Sequence, residues 1–113
     1  MEQKPVDTFM TDWPFEDPRN VAIITVRQIV REGAPILYVT HDADDGAWQF
    51  LPGFDVVVED ALVLALSEIV DLDPSVADLA NLPFGWEAHR SCAGDPWTRK
   101  PRPWLGPVPP LSD

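Results

Sequence analysis

The first half of the chain carries two runs of apolar and β-branched residues, at positions 21–26 (VAIITV) and 36–40 (ILYVT). Such residues favour strands, and the glycine and proline between the runs mark a break, so the pattern predicts two strands. Apolar and polar residues alternate over positions 47–51 (AWQFL), which predicts a third strand. Because positions 41–46 (HDADDG) have the composition of a turn, we expect residues 36–51 to form a hairpin.

The stretch at positions 60–71 (DALVLALSEIVD) fits two periodicities. Its apolar residues recur at helical spacing, but three of its leucines also fit one face of a strand. We favour a strand over about residues 61–66 that continues into a short helix from Ser67, whose hydroxyl can cap exposed helix amides. Asp73 and Pro74 then give a clearer helix start, which predicts a helix to about residue 81.

The second half ends in two shorter patterns, at positions 85–90 (GWEAHR) and 96–100 (PWTRK), which flank a Gly-Asp turn and predict two more strands. Together these elements predict one α+β domain over residues 20–100. Its architecture is expected to be a mainly antiparallel sheet with one or two short helices on one face.

The two ends of the chain have a different composition. Residues 1–19 show little periodicity, and we expect an irregular arm held against the core by its aromatic residues, Phe9, Trp13 and Phe15. Residues 101–113 are rich in proline, which predicts an extended tail.

Charge is unevenly distributed. The chain has 19 Asp and Glu residues against 8 Lys and Arg, and its formal net charge is −11. Between Glu32 and His89 there is no Lys or Arg, so this interval cannot neutralise its own carboxylates. Such a surface repels phosphate backbones and anionic lipid, which argues against nucleic-acid and membrane binding by the acidic body, and it attracts a basic protein. The plainer interpretation is that net charge keeps a small protein soluble.

The single cysteine cannot form an intramolecular disulfide, and the N-terminal residues lack the basic end and apolar run of a signal peptide. We therefore expect a cytoplasmic protein. Its 113 residues and 45% hydrophobic content suit one small core.

The acidic turn at positions 41–46 is the densest group of reactive side chains. As a protein-binding surface, it would offer Asp42, Asp44 and Asp45 as contacts, together with Trp48 on the next strand. Because Trp48 lies within a predicted strand, it is also a candidate for core packing. As an alternative, His41 and the same three carboxylates would form a metal-binding or metal-dependent hydrolytic site, since hard cations prefer oxygen ligands. The spacing does not match an EF-hand loop.

Other catalytic patterns are weak. His41, His89 and Cys92 lack the paired spacing of structural zinc ligands, and Cys92 has only nearby His89 and Arg90 to activate it as a nucleophile. The sequence contains no phosphate-binding glycine loop, G-x-S-x-G, H-E-x-x-H or dinucleotide fingerprint. We therefore expect neither enzymatic activity nor a cofactor.

Several segments together resemble one family of small bacterial domains of unknown function, part of which is described as immunity-protein-like. The resemblance rests on residues 35–39 (PILYV), 44–51 (DDGAWQFL), 68–70 (EIV) and 73–75 (DPS). It implies an α+β fold without known catalytic residues. For some members it also implies neutralisation of a toxin delivered by a competing bacterium, so the expected partner is a basic protein such as a toxin.

Overall fold

A computed structural model of the protein describes residues 13–102. The strands are β1 (Ala22–Val26), β2 (Tyr38–His41), β3 (Trp48–Leu51), β4 (Ala61–Ala65), β5 (Trp86–His89) and β6 (Thr98–Pro101). Two α-helices, α1 (Arg27–Glu32) and α2 (Leu66–Leu72), and two 3₁₀ segments, Val58–Asp60 and Pro74–Leu79, complete the elements. Within residues 13–102, no helix has the length and apolar character that crossing a membrane requires.

The strands form one mixed sheet in the order β4-β1-β3-β2-β5-β6. Neighbouring strands run antiparallel, except that β1 and β3 are parallel. The predicted hairpin of β2 and β3 is confirmed, with His41 opposite Trp48 and Tyr38 opposite Leu51. The predicted α+β class with a mainly antiparallel sheet is confirmed as well.

Two strands of the sheet run directly into helices. Residues 60–71 are indeed a strand followed by a helix, although the helix begins at Leu66 rather than Ser67. The amide of the N-cap residue, Ala65, donates to Glu68 Oε1 at 2.8 Å, and no side-chain oxygen caps the helix amides, so the cap expected from Ser67 is not formed.

Helix α1 was not predicted, and its sequence explains why. The helix has six residues, follows Val26 without a side-chain cap, and carries one buried residue, Ile29. Such a short helix shows too little of the 3.6-residue period to be recognised. It ends at Gly33, whose φ of +79° lies in the left-handed region that glycine adopts without strain.

The core lies on one face of the sheet. Strand residues that pair in register share a face, so Val39, Phe50 and Ala88 project to the same side. Helical and 3₁₀ residues and one residue of the N-terminal arm cover this side: Phe15, Ile29, Leu66, Ile69, Val76 and Leu79. The helices and 3₁₀ segments therefore pack on the face of the sheet that carries Val39, Phe50 and Ala88.

The structure describes only the inner part of each chain end. Phe15 is buried in the core, whereas Phe9 lies outside the described residues. Pro101 pairs with Trp86 in β6, so the sheet extends one residue into the segment that was assigned to the tail. Asp73 caps the 3₁₀ segment Pro74–Leu79 by accepting a hydrogen bond from the Ser75 amide.

Candidate binding cleft and acidic turn

Local hydrogen bonds stabilise the backbone of the acidic turn, residues 42–46 between β2 and β3. The Asp42 amide donates to Ala47 O at 2.8 Å, and the Gly46 amide donates to Asp42 O at 3.1 Å. Asp42 Oδ1 accepts from the Asp44 amide, and Asp45 Oδ1 accepts from the Ala47 amide. These local bonds are the reason why Asp is favoured in turns, and they leave the exposed Asp44 and Asp45 side chains on a defined loop.

The structure does not bring the proposed metal ligands together. His41 faces the core and is 6% exposed, and its Nδ1 lies 2.7 Å from Leu82 O. Asp44 and Asp45 project outward from the turn instead. Within residues 13–102 no group of three or more His, Cys, Asp or Glu side chains is arranged to hold a metal ion.

The sequence offers Trp48 both as a core residue and as a partner contact, and the structure places it in the core. The residue is 1% exposed. Its ring stacks on the imidazole of His41 at 3.8 Å between centroids and meets the edge of Phe15 at 5.4 Å. The alternation of residues along β3 puts Trp48 on the core face, so a partner cannot reach its indole face.

A cleft of about 590 Å³ opens beside the turn. It lies between the N-terminal arm and the segment that follows the second 3₁₀ element, and its volume suits a ligand or a partner side chain. The lining residues are Glu16, Asp17, Pro18, His41, Ala80, Asn81, Leu82, Pro83 and Phe84.

Phe84 connects the cleft with the acidic turn. Its side chain is an exposed large hydrophobic group, 67% accessible, and its ring meets the His41 ring edge-on at 4.7 Å. A Cβ placed on Gly46 would lie 3.5 Å from the Phe84 ring, and the Gly85 amide donates to His41 O at 2.7 Å. The turn and the cleft therefore form one continuous surface.

Only one of the two ring nitrogens of His41 has a hydrogen-bond partner. A carbonyl oxygen only accepts hydrogen bonds, so the nitrogen facing Leu82 O, Nδ1, carries the proton. The other nitrogen, Nε2, is buried without a hydrogen-bond partner. In the neutral ring this atom is an acceptor, and buried acceptors are normally paired.

One wall of the cleft is fixed by tryptophan side chains. Trp48 Nε1 donates to Asp17 Oδ1 at 3.3 Å, and Trp13 Nε1 donates to Asp17 O at 2.8 Å. Asp17 is therefore held at the edge of the same indole ring on which His41 stacks. The Asp17 carboxylate and the His41 imidazole therefore both contact the indole of Trp48.

Sequence reasoning missed Glu16, Asp17 and Phe84 as parts of the candidate site. Glu16 and Asp17 lie in the aperiodic arm, and Phe84 lies in a loop next to Pro83. The proximity of these segments to His41 depends on tertiary packing. No local signal singled these residues out, because single exposed apolar side chains are common on protein surfaces.

Arg90 is a buried cation with a structural role. Its side chain is 1% exposed and pairs with Asp73 Oδ2 at 2.9 Å. Its Nε and Nη2 donate to Ile36 O, and its Nη1 donates to Ser75 Oγ. The guanidinium also lies 4.0 Å from the Trp97 ring centroid. Arg90 ties β5 to the second 3₁₀ segment and to the start of the hairpin.

The basic run at the end of the described chain folds onto acidic groups. Lys100 Nζ lies 3.5 Å from Glu87 Oε2, and Arg102 Nε lies 3.9 Å from Glu87 Oε1. Tyr38 OH donates to the same carboxylate at 2.8 Å. Burial, together with this hydrogen bond and the charge of Glu87, raises the pKa of Tyr38. The positive charges of Lys100 and Arg102 and the negative charge of Glu87 therefore partly neutralise one another.

Cys92 is exposed, but its environment does not activate it. A hydrogen bond with Asp95, reinforced by the negative charge of Asp95, raises the pKa of the thiol. A raised pKa reduces the thiolate fraction, and the thiolate is the nucleophile.

Comparison of the chain with known protein families, curated proteins and solved structures gives no match.

Proposed function

We propose that the protein is a non-catalytic protein-binding domain that receives a basic protein on the acidic turn and the adjoining cleft. The observation that carries this proposal is the position of Phe84. This exposed aromatic side chain lies against a turn that presents Asp44 and Asp45, and beside a cleft that contains Glu16 and Asp17. Interfaces commonly combine such a central aromatic anchor with a polar rim.

The charge distribution supports a basic partner. No Lys or Arg lies between Glu32 and His89, whereas Asp and Glu are frequent there, and Asp44 and Asp45 point away from the core. A like-signed surface steers an oppositely charged protein during its diffusional approach, which raises the association rate more than the final affinity.

The resemblance to immunity-protein-like bacterial domains supports the same direction. It favours a toxin as the basic partner and inhibition by binding as the mode of action. Because an inhibitor of this kind needs a preformed surface rather than reacting groups, the local hydrogen bonds of the turn suit the role. A single cysteine suits a reducing compartment, so we place the protein in the cytoplasm.

The test is affinity capture of the basic partner by matched variants. Wild type, the pair Asp44→Lys with Asp45→Lys, and the pair Glu59→Lys with Asp71→Lys are immobilised and exposed to source-cell lysate at low and high salt. The control pair changes the net charge equally at exposed acids on other elements.

We expect wild type and the control pair to retain one basic protein that high salt releases, and the turn pair to lose it. Stopped-flow association of that protein should then be slower with the turn pair and less dependent on salt. Equal loss from both pairs would show that net charge alone matters, and an unchanged rate with the turn pair would remove this surface from the interface.

A further inference from the structure

We propose that strand β4 is a self-pairing edge of the sheet and that the Glu68 carboxylate closes it. The occupant of this edge is β4 of a second copy of the protein, and Glu68 holds a backbone amide that the pairing needs. Because β4 is a different strand from those that flank the acidic turn, this inference stands apart from the proposed function.

Strand β4 is an edge without side-chain protection. In the part of the chain that the structure describes, β4 and β6 are the outermost strands of the sheet. Edge strands expose unpaired backbone groups, and proteins commonly protect them with charged residues or proline. Strand β6 carries Arg99, Lys100 and Pro101, whereas β4 (ALVLA) contains neither kind of residue. Val63, at the centre of β4, is 68% exposed, and its register partner Ile24 is 37% exposed.

The sequence of β4 is complementary to itself. It reads the same in both directions about Val63. If two copies pair antiparallel about a two-fold axis at Val63, Ala61 of one copy lies opposite Ala65 of the other, and valine lies opposite valine. A two-fold interface needs this kind of self-complementary surface. The pairing would also join the exposed Val63 and Ile24 side chains of both copies into one apolar strip. These features favour a second copy of the protein as the occupant.

The backbone of β4 determines which groups a second strand can reach. The Leu66 amide donates to Val21 O at 2.9 Å, so it points towards β1. Amides of successive strand residues point to alternate sides, and those of Ala61, Val63 and Ala65 therefore point outward.

Two of these outward amides are already bonded within the chain. The Ala61 amide donates to Val58 O, and the Ala65 amide donates to Glu68 Oε1 at 2.8 Å. Among the outward amides of β4, and within residues 13–102, Val63 alone is left open to a further strand.

Glu68 therefore limits how many hydrogen bonds a second copy can form. With Glu68 in place, the pairing offers the reciprocal bonds between the Val63 residues of the two copies. Release of the Ala65 amide would add a second reciprocal pair, from Ala65 N of each copy to Ala61 O of the other. The carboxylate also brings a negative charge to the edge, which repels a second acidic copy.

The experiment measures self-association by analytical ultracentrifugation over a series of protein concentrations, at high salt to screen the net charge. The proteins are wild type, Glu68→Ala, Glu68→Gln and Asp71→Ala. Glu68 is exposed and alanine favours helices, so Glu68→Ala should keep the fold. Glu68→Gln retains a side-chain acceptor without the charge. Asp71→Ala changes the net charge as Glu68→Ala does, at another exposed acid of α2.

We expect Glu68→Ala to dimerise at least about tenfold more tightly than wild type, since the dimer gains a reciprocal pair of hydrogen bonds. Glu68→Gln and Asp71→Ala should both stay close to wild type. Adding Val63→Lys to Glu68→Ala should abolish the dimer, because like charges would lie opposite each other across the two-fold axis. Adding Leu72→Lys instead, at an exposed apolar residue of α2, should leave the dimer intact.

Amide hydrogen exchange locates the contact. In wild type the Ala65 amide should exchange more slowly than the Val63 amide, because Glu68 binds only the former. In Glu68→Ala, protection of both amides should increase with protein concentration. The wild-type measurement does not depend on the folding of any variant.

The other outcomes overturn the proposal. Equally tight dimers of Glu68→Gln and Glu68→Ala would show that charge, and not the occupied amide, keeps the copies apart. A Glu68→Ala variant as monomeric as wild type, or protection that increases on other strands, would show that β4 does not pair with itself. Equal exchange of the Ala65 and Val63 amides in wild type would show that Glu68 does not close the edge. The acidic turn is tested separately by the capture experiment.

Discussion

The imidazole of His41 lies flat against the indole of Trp48, with ring centroids 3.8 Å apart and an interplanar angle of 13°. The two residues are register partners across the β2–β3 pair. Because paired residues share a face of the sheet, a histidine that belongs to an acidic turn by sequence becomes part of the core in the folded protein. This pairing directs His41 into the cleft region and removes it from the carboxylates of the turn.

The first prediction concerns the stability that this pair provides. Trp48→Ala should lower the free energy of unfolding by about 4 kcal/mol, because it removes the largest fully buried side chain and leaves a cavity. Urea denaturation followed by circular dichroism measures the loss. Phe54→Ala is the control, since that ring is 54% exposed and should cost less than about 1 kcal/mol. A similar loss in both variants would contradict the assigned role of Trp48.

Local patterns predicted much of this fold. The hairpin was recognisable from alternating strands around an Asp- and Gly-rich turn, and β4 with α2 was recognisable from leucines followed by a helical period. Helix α1 was missed, because six residues without a cap carry too little periodic signal. The parallel pairing of β1 with β3 was also beyond local pattern, since it depends on how distant strands assemble.

The candidate site was less predictable than the fold. The acidic turn is continuous in sequence, so its exposed carboxylates were identifiable. The cleft joins residues 16–18, His41 and residues 80–84, and only tertiary packing makes these segments neighbours. Trp48 stayed ambiguous because an aromatic residue next to a polar turn suits both an interface and a core, and the strand register decides between them.

The second prediction concerns the buried guanidinium. Arg90→Lys should lower the free energy of unfolding by about 3 kcal/mol, because one ammonium cannot replace the planar set of bonds to Ile36 O, Ser75 and Asp73. Chemical denaturation measures the difference from wild type. The control is Arg99→Lys, at an exposed arginine, where the change should stay within about 0.5 kcal/mol. A loss at Arg90 as small as that of the control would refute the structural role.

The third prediction is a pH dependence at Asp60, which joins α1 to the segment before β4. Hydrogen bonds from Gln28, from the Val57 amide and from Arg27, together with the Arg27 charge, hold the pKa of Asp60 below its usual value of 3.8. The folded state therefore favours the carboxylate. Its contribution to stability is fully present above the unfolded pKa and is lost as the pH falls through the lower folded pKa.

Asp60→Asn should be less stable than wild type at neutral pH, and the gap should narrow as the acid titrates below pH 3.8. Urea denaturation of both proteins over a series of acidic pH values measures the gap. The exposed Asp71, changed to Asn, controls for the loss of one surface charge. A gap that stays constant through the acidic range would show that the carboxylate does not titrate differently in the folded state.

The fourth prediction concerns metal ions at the acidic turn. A ligand that binds only the folded state raises the melting temperature, and His41 is directed away from Asp44 and Asp45. We expect millimolar calcium, magnesium, manganese or zinc to leave the melting temperature at its value in chelator. A rise with one metal that His41→Gln and Asp44→Asn each abolish would establish the alternative metal site.

The last prediction uses the single cysteine of the chain as a reporter of local charge. The hydrogen bond and the negative charge of Asp95 raise the pKa of Cys92, so iodoacetamide should alkylate the native protein at pH 8 more slowly than the urea-unfolded protein. Asp95→Asn should increase the rate in the native state, because it removes the charge that opposes thiolate formation. The exposed Asp78, changed to Asn, should leave the rate unchanged. Native alkylation faster than unfolded alkylation would mean that the site activates the thiol, and Cys92 would then become a candidate nucleophile.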